Sequence, residues 1–277
     1  MTIDIFHVGP PKTATTWVYQ CMKEHPEVAV TAQDTVHFYD IFYNYGKDWY
    51  LQQFLNDTPG MKRLDATPSY IQSAQAIERL TRDNPQARFI VGLRDPVERA
   101  FSHYWHLKKK GEINYRFEQV LDNYTLFSLW LEPGLFSYNL RVLMQVIPRD
   151  HIHVMRYEQL ERDPAGTLQS LFRFCGIDEN FVPSVLNRRV NVAGPRQTLM
   201  RRIGYKLSKG LFGARADQGG HGIAALLSGK KEYFEGITPN LQRKMAVICE
   251  PEIVELERLL EVDLSVWRQQ GKDEETE

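Results

Sequence analysis

Two cationic groups stand about 80 residues apart in this chain, each where an apolar run gives way to a helical pattern. In the first, "GPPKTATTWV" (residues 9–18), Gly9, Pro10 and Pro11 break an apolar run. Lys12 follows, then three hydroxyls (Thr13, Thr15, Thr16) and Trp17, with Ala14 among them. Backbone amides at a helix start have no partner within the helix and carry partial positive charge. Lys12 adds a full charge and the threonines add donors, a combination suited to a phosphate- or sulfate-bearing group. In the second, "RFIVGLRDPVERAFSHYWH" (residues 88–106), Arg94 ends an apolar run, Asp95-Pro96 opens a helix, and Ser102 lies eight residues after Arg94. A guanidinium fork with a hydroxyl suits a phosphate monoester. A nucleotide-hydrolysing loop would place glycine just before its lysine and a magnesium-holding carboxylate at the end of a later strand. Here Pro11 and Arg94 stand at those places. Two cationic strand ends predict a ligand with two anionic groups and no required metal.

These residues need a scaffold that brings strand ends together. Strand-like runs cover residues 3–8, 27–31, 88–93 and 151–156, and helical patterns cover 15–24, 49–55, 71–83, 97–110, 117–131 and 137–146. Beyond residue 163 the pattern is mostly helical. Strands alternating with helices predict an α/β fold, a single domain over residues 1–277 with a central parallel sheet flanked by helices. Such sheets bind ligands beyond the carboxyl ends of their strands. Residues 205–234 hold six of the 18 glycines and read as a mobile lid, and residues 271–277 read as a solvated acidic tail.

The 277 residues are 43% hydrophobic and 12% aromatic, which argues for a packed core over disorder. A net charge of −1 disfavours a general nucleic-acid binder, so an anion site must be made locally. The three cysteines match no zinc spacing. Neither a signal-peptide pattern nor an apolar run of about 18 residues is visible, so the expectation is a cytoplasmic protein without a membrane partner.

"PPKTATTWV" resembles the phosphosulfate-binding loop of sulfotransferases, which use 3′-phosphoadenosine 5′-phosphosulfate and release adenosine 3′,5′-bisphosphate. The family pattern is Pro-Lys-(Ser/Thr/Ala)-Gly-Thr-(Thr/Ser)-(Trp/Leu), and Ala14 departs from it. Arg94, Pro96, Arg99, Ser102 and Tyr104 match the family's 3′-phosphate motif, Arg-(Asp/Asn)-Pro…Arg…Ser-x-(Tyr/Trp). The resemblance implies a P-loop-like phosphosulfate-binding loop. It implies that Pro11, Lys12, Thr13, Ala14, Thr15, Thr16 and Trp17 bind the phosphosulfate and that Arg94 and Ser102 bind the 3′-phosphate. "RRVNVAGPRQ" falls where relatives close a basic loop over the nucleotide, which makes Arg188, Arg189, Gly194 and Arg196 candidates. "RYEQL" resembles a later turn of the family.

"TVHFYD" (residues 35–40) resembles the Glu-Val-His-Phe-Phe-Asp stretch of glucosaminyl 3-O-sulfotransferases, where the glutamate is the base. Thr35 replaces that glutamate. The candidate bases are therefore His37, with an ordinary pKa of about 6.5, and Asp34 or Asp40 as its partner or substitute. "DATPSY" resembles the family's Thr-Pro-x-Tyr turn, so Asp65 and Tyr70, with Thr35 and His37, are expected to line the acceptor cleft. His103, beside Ser102, is expected to face elsewhere.

The function this implies is transfer of a sulfuryl group from 3′-phosphoadenosine 5′-phosphosulfate to a hydroxyl or amine. Lys12 stabilises the leaving phosphate, and the acceptor is a small molecule (a natural product) or a carbohydrate. The alternatives are a nucleoside or small-metabolite kinase with an atypical phosphate loop, and an inactive nucleotide-binding module. The residues fix neither the acceptor nor the oligomeric state.

Overall fold

Ile5–Gly9, the apolar run ahead of the first loop, is the central strand β1 of a six-stranded sheet in the computed structural model. The structure describes residues 2–187 and 237–269. From β1 the chain passes through α1 (Thr15–Glu24) to β2 (Val28–Thr31), α2 (Gly46–Leu51), β3 (Phe54–Leu55) and β4 (Lys62–Asp65). It continues through α3 (Ala74–Asp83), β5 (Arg88–Leu93), α4 (Pro96–Lys110), α5 (Tyr124–Trp130) and α6 (Ser137–Val146) to β6 (Ile152–Arg156). Helices α7 (Tyr157–Arg162), α8 (Pro164–Cys175) and α9 (Pro239–Leu260) follow. The strand order is β3-β2-β4-β1-β5-β6, parallel except for the pairing of β3 with β2. The expected α/β architecture with a central sheet flanked by helices is present, and the sheet is parallel but for β3.

Alternate strand residues feed two apolar layers, as the period of a strand requires. Phe6, Val8, Phe89, Val91 and Leu93 face a core built with α3, α4, α6 and α9. Ile5, Val28, Val30, Leu64 and Ile90 face α1 and α8. The chain leaves β1 toward β2 on one side and later returns to place β5 on the other. The strand order therefore reverses at β1, and the loops after β1 and β5 lie side by side, with Gly9 in register with Val91. This is the crevice where open α/β sheets bind ligands.

Three expectations need correction. Strand β4 was not foreseen, because Lys62 and Arg63 make its four residues look like a charged loop. It is a strand because β2 and β1 pair with it on both sides and bury Leu64 completely. The helix expected over 49–55 is α2, ending at Leu51, followed by β3 at the sheet edge. The helix expected over 117–131 is interrupted, because the Asn123 side chain accepts from the Leu126 amide (3.3 Å) and starts α5 afresh. The proposed lid (205–234), the tail (271–277) and Arg188, Arg189, Gly194 and Arg196 lie outside the described residues.

Candidate active site

The loop after β1 is shaped by left-handed backbone. Gly9 (φ 105°), Lys12 (φ 74°) and Ala14 (φ 68°) all have positive φ. Gly9 is needed for a second reason: a Cβ there would lie 1.8 Å from the Pro68 carbonyl oxygen, so residues around 68 pack directly on the strand end. On the other side, a Cβ at Gly92 of β5 would lie 2.2 Å from Thr13 Oγ1. Thr13 is wedged there, fully buried, its hydroxyl donating to the Pro10 carbonyl (2.7 Å). Its side chain thus braces the loop from inside; only its backbone remains to serve a ligand.

Helix α1 begins at this loop with no side-chain cap and no acidic residue in its first turn. Its orphan amides therefore await an acceptor from elsewhere. Thr15 Oγ1 is buried there without a hydrogen-bond partner. Burial, and after it the charges of Lys109, Lys110, Arg94 and Arg99, bring the Lys12 ammonium down to a pKa of about 8. Uncapped amides, an orphan hydroxyl and a destabilised cation share one requirement, an anion.

Arg94 stands at the end of β5 beside this loop. Its Nη1 donates to the Lys12 carbonyl (3.2 Å), and its guanidinium lies 4.1 Å over the ring of Tyr157 at the start of α7. That contact explains why the "RYEQL" turn matters: Tyr157 supports the arginine from below. Asp95 caps α4, accepting from the Val97 (2.7 Å) and Glu98 (3.0 Å) amides, and burial raises its pKa to about 6. Arg99, one turn further, is fully buried. Its Nη1 donates to the Pro11 carbonyl (3.3 Å) and its Nη2 to the Trp130 carbonyl, strapping the anion loop to α5. Burial, then Arg94, lowers its pKa to about 9.

A cleft of about 870 Å³ opens in front of these groups. Pro11, Lys12, Ala14, Thr15, Thr16 and Trp17 form one wall, Arg94 and Ser102 another, and Asp34, Thr35 and Pro68 a third. The structure thus brings the two motifs into one cavity. Thr16 Oγ1 donates to Asp34 Oδ2 (3.4 Å), which ties the segment after β2 to the loop. Contrary to expectation, His103 also lines the cleft, as does His106. The exposed arc of α4 is wide enough to turn both Ser102 and its neighbour toward the cavity. Burial, followed by nearby cations, lowers His103 to about 3 and His106 to about 4, so both are neutral. The sequence signal for His106 is its place one turn after Ser102.

Of the residues expected at the acceptor cleft, Thr35 lines it, while His37 and Asp40 are not among the lining residues. Residues 36–40 continue from Thr35 and are held by the 65–70 turn. Thr67 Oγ1 accepts from the amides of Val36 (3.0 Å) and His37 (3.4 Å), and the Tyr70 hydroxyl accepts from those of Phe38 (3.0 Å) and Tyr39 (3.4 Å). Both hydroxyls then donate to Asp65, Thr67 at 2.6 Å and Tyr70 at 2.8 Å, as does Tyr50 at 2.6 Å. Asp65 and Tyr70 are completely buried. They do not line an acceptor cleft, as expected, but form the anchor behind it. His37 sits at φ 55°, its Nδ1 3.1 Å from Asp40 Oδ2, with a side chain 34% exposed. The hydrogen bond to Asp40 raises its pKa. Burial works to raise that of Asp40, but bonds from His37 and Ser69 outweigh it and the net shift is downward. Among the described residues, no helix is long and apolar enough to cross a membrane, and no group of His, Cys, Asp and Glu is placed to hold a metal.

Comparison with known proteins agrees with this geometry. A model of the sulfotransferase family matches residues 30–181, more than half of the chain, a span that includes Arg94 and Ser102. The chain is 28% identical over 191 residues to human bifunctional heparan sulfate N-deacetylase/N-sulfotransferase 2, covering 61% of this chain and 21% of that protein. It is 28% identical over 177 residues to mouse heparan sulfate glucosamine 3-O-sulfotransferase 3B1, covering 61% and 45%. The matches thus span less than half the length of these curated relatives. Among solved structures, a sulfotransferase from Alicyclobacillus acidocaldarius shares the fold with a TM-score of 0.73 at 20% identity, covering 97% of this chain and 99% of that one.

Proposed function

This chain belongs to the sulfotransferase family, and we propose from that premise that it uses 3′-phosphoadenosine 5′-phosphosulfate to sulfate a hydroxyl or amine on a carbohydrate or small molecule. The observation that carries the donor assignment is the uncapped start of α1, with the orphan Thr15 hydroxyl and depressed Lys12, beside a second cationic strand end. The bound donor supplies the sulfuryl group and a phosphate leaving group. The amides of the first loop and the hydroxyls of Thr15 and Thr16 hold its phosphosulfate end, while Arg94 and Ser102 hold the 3′-phosphate. Lys12 neutralises charge that develops on the departing oxygen. Arg99, through the Pro11 carbonyl, keeps that loop in register with Arg94.

The proton of the acceptor group needs a base near operating pH. His37, two residues beyond the cleft residue Thr35, with a side chain 34% exposed and oriented by Asp40, takes that role in this reading, and Asp34, at the cleft wall, is its substitute. Curated relatives named for heparan sulfate favour a carbohydrate acceptor. Thr35, where the 3-O-sulfotransferases carry glutamate, argues against copying their acceptor outright. The test is calorimetric titration with adenosine 3′,5′-bisphosphate and with ATP. It is followed by incubation with isotope-labelled donor and a panel containing chitotetraose, heparosan oligosaccharide and 2-naphthol, read by mass shift. Tight binding of the bisphosphate and a labelled sulfate on an acceptor support the proposal. Preference for ATP with magnesium-dependent phosphate transfer would contradict it.

A further inference from the structure

Ser69 belongs to neither cationic motif, yet it touches both members of the proposed proton-accepting pair. Its Oγ lies 2.6 Å from Asp40 Oδ2 and 3.2 Å from His37 Nδ1, while His37 Nδ1 lies 3.1 Å from Asp40 Oδ2. Three polar atoms thus form a closed triangle, and the available protons can be assigned. The serine hydroxyl has one hydrogen. The 2.6 Å contact is the length of a hydroxyl donating to a carboxylate, so the hydrogen points at Asp40. Toward His37 the serine then offers a lone pair. Both neighbours of Nδ1 are acceptors, and Nδ1 must carry the ring proton itself. The neutral imidazole is left with its lone pair on Nε2, the one nitrogen able to take a proton from an acceptor.

We propose that Ser69 is a positioning residue, which holds Asp40 so that His37 keeps its proton on Nδ1 and presents Nε2 as the base. The purpose rests on the reading of His37 as the proton acceptor in sulfuryl transfer. Asp40 needs this help because its other oxygen, Oδ1, is buried without a side-chain partner, so the two side-chain contacts that hold it, from His37 and Ser69, both act at Oδ2. One of those contacts comes from His37, the residue to be positioned, and cannot anchor the pair by itself. Ser69 can, because it sits in the turn that Thr67 and Tyr70 fasten to buried Asp65. The chain of support runs from Asp65 to the turn, from the turn to Ser69, and from Ser69 through Asp40 to the ring. The same turn fixes four successive amides of residues 36–39, so backbone and side chain of His37 are held from one structure. The carboxylates whose charge acts on the ring are Asp40 and, behind it, Asp65, while partial burial opposes them.

The test uses the full chain labelled with 15N-histidine, with the His37 signals assigned by their loss in H37Q. Long-range proton–nitrogen spectra above the titration of His37 read its tautomer directly. Wild type is expected to show the proton on Nδ1. Ser69→Ala should show exchange between both tautomers and a kcat lower by about 5- to 30-fold, the factor for one or two kcal/mol. The donor KM should stay within about twofold, since that shift is far smaller than the loss of a phosphate contact. Ser69→Thr, which keeps the hydroxyl, should restore both readouts. Kinetics use the panel acceptor that turns over fastest, and the tautomer measurement needs no acceptor. A wild-type ring protonated on Nε2 would overturn the proposal, as would S69A with an unchanged tautomer and kcat beside an impaired H37Q. Undiminished kcat in H37Q would instead overturn the role of His37 and, with it, the purpose assigned to Ser69.

Discussion

Raising the pH should loosen the donor site by discharging Lys12. Its pKa falls from an ordinary 10.5 to about 8, chiefly through burial and then through Lys109 and Lys110. That difference corresponds to about 3 kcal/mol spent holding a charge in the ligand-free loop. A bound anion offsets the cost and restores the higher pKa, so binding takes up a proton wherever the free lysine is neutral. Linkage then weakens the affinity by up to tenfold per pH unit above about 8. Adenosine 3′,5′-bisphosphate should bind about 20-fold more weakly at pH 9.5 than at pH 7.5 in isothermal titration calorimetry. Lys12→Met should bind weakly at both values, with most of the slope gone. For the ligand-free protein the sign is opposite. Between about 8 and 10.5 the unfolded chain holds a proton that the folded one has lost, so this lysine's contribution makes stability rise with pH. An affinity that stays flat from pH 7.5 to 9.5, or the same slope in Lys12→Met, would refute the reasoning.

Arg94→Ala should raise the donor KM by about 10- to 100-fold, the range for a lost charge-assisted contact, with a smaller effect on kcat. Initial rates at varied donor check it, and an unchanged KM would place the 3′-phosphate elsewhere. Ala14 holds φ 68° at a position where sulfotransferases commonly carry glycine. Ala14→Gly should relieve that strain and, after the entropy cost of glycine in the unfolded chain, gain up to about 1 kcal/mol. A lower Tm by calorimetry would count against it. Asp65→Ala strips the acceptor from three buried hydroxyls and should cost about 3 kcal/mol in urea unfolding. A shift below about 0.5 kcal/mol, the scale of an ordinary surface change, would show that Asp65 is no anchor.

Much of this was legible in the sequence where local chemistry decides the outcome. Asp95 and Pro96 announce the start of α4, and the apolar runs of β1 and β5 lead straight to Lys12 and Arg94. A parallel sheet accounts for both ends opening on the same side, but that β1 and β5 are neighbours depends on a strand order visible only in the fold. What could not be read depends on contacts distant in sequence. Lys62 and Arg63 belong to a strand only because two neighbours pair with it. Asp65 and Tyr70 look like candidates for a ligand, since a carboxylate and a phenol in a turn carry no mark of burial. Their partners from elsewhere in the chain are the amides of Phe38 and Tyr39 for Tyr70 and the Tyr50 hydroxyl for Asp65. Ser69 was overlooked for the same reason, its meaning arising only when the turn meets His37 and Asp40. His103 misled because helical spacing gives an angle between side chains without saying how wide a cleft they face.

The most direct test of the whole account is a crystal structure with adenosine 3′,5′-bisphosphate bound. The 5′-phosphate should lie against Lys12 and the first amides of α1, and the 3′-phosphate against Arg94 and Ser102. A nucleotide that leaves either cationic strand end without a phosphate would contradict it.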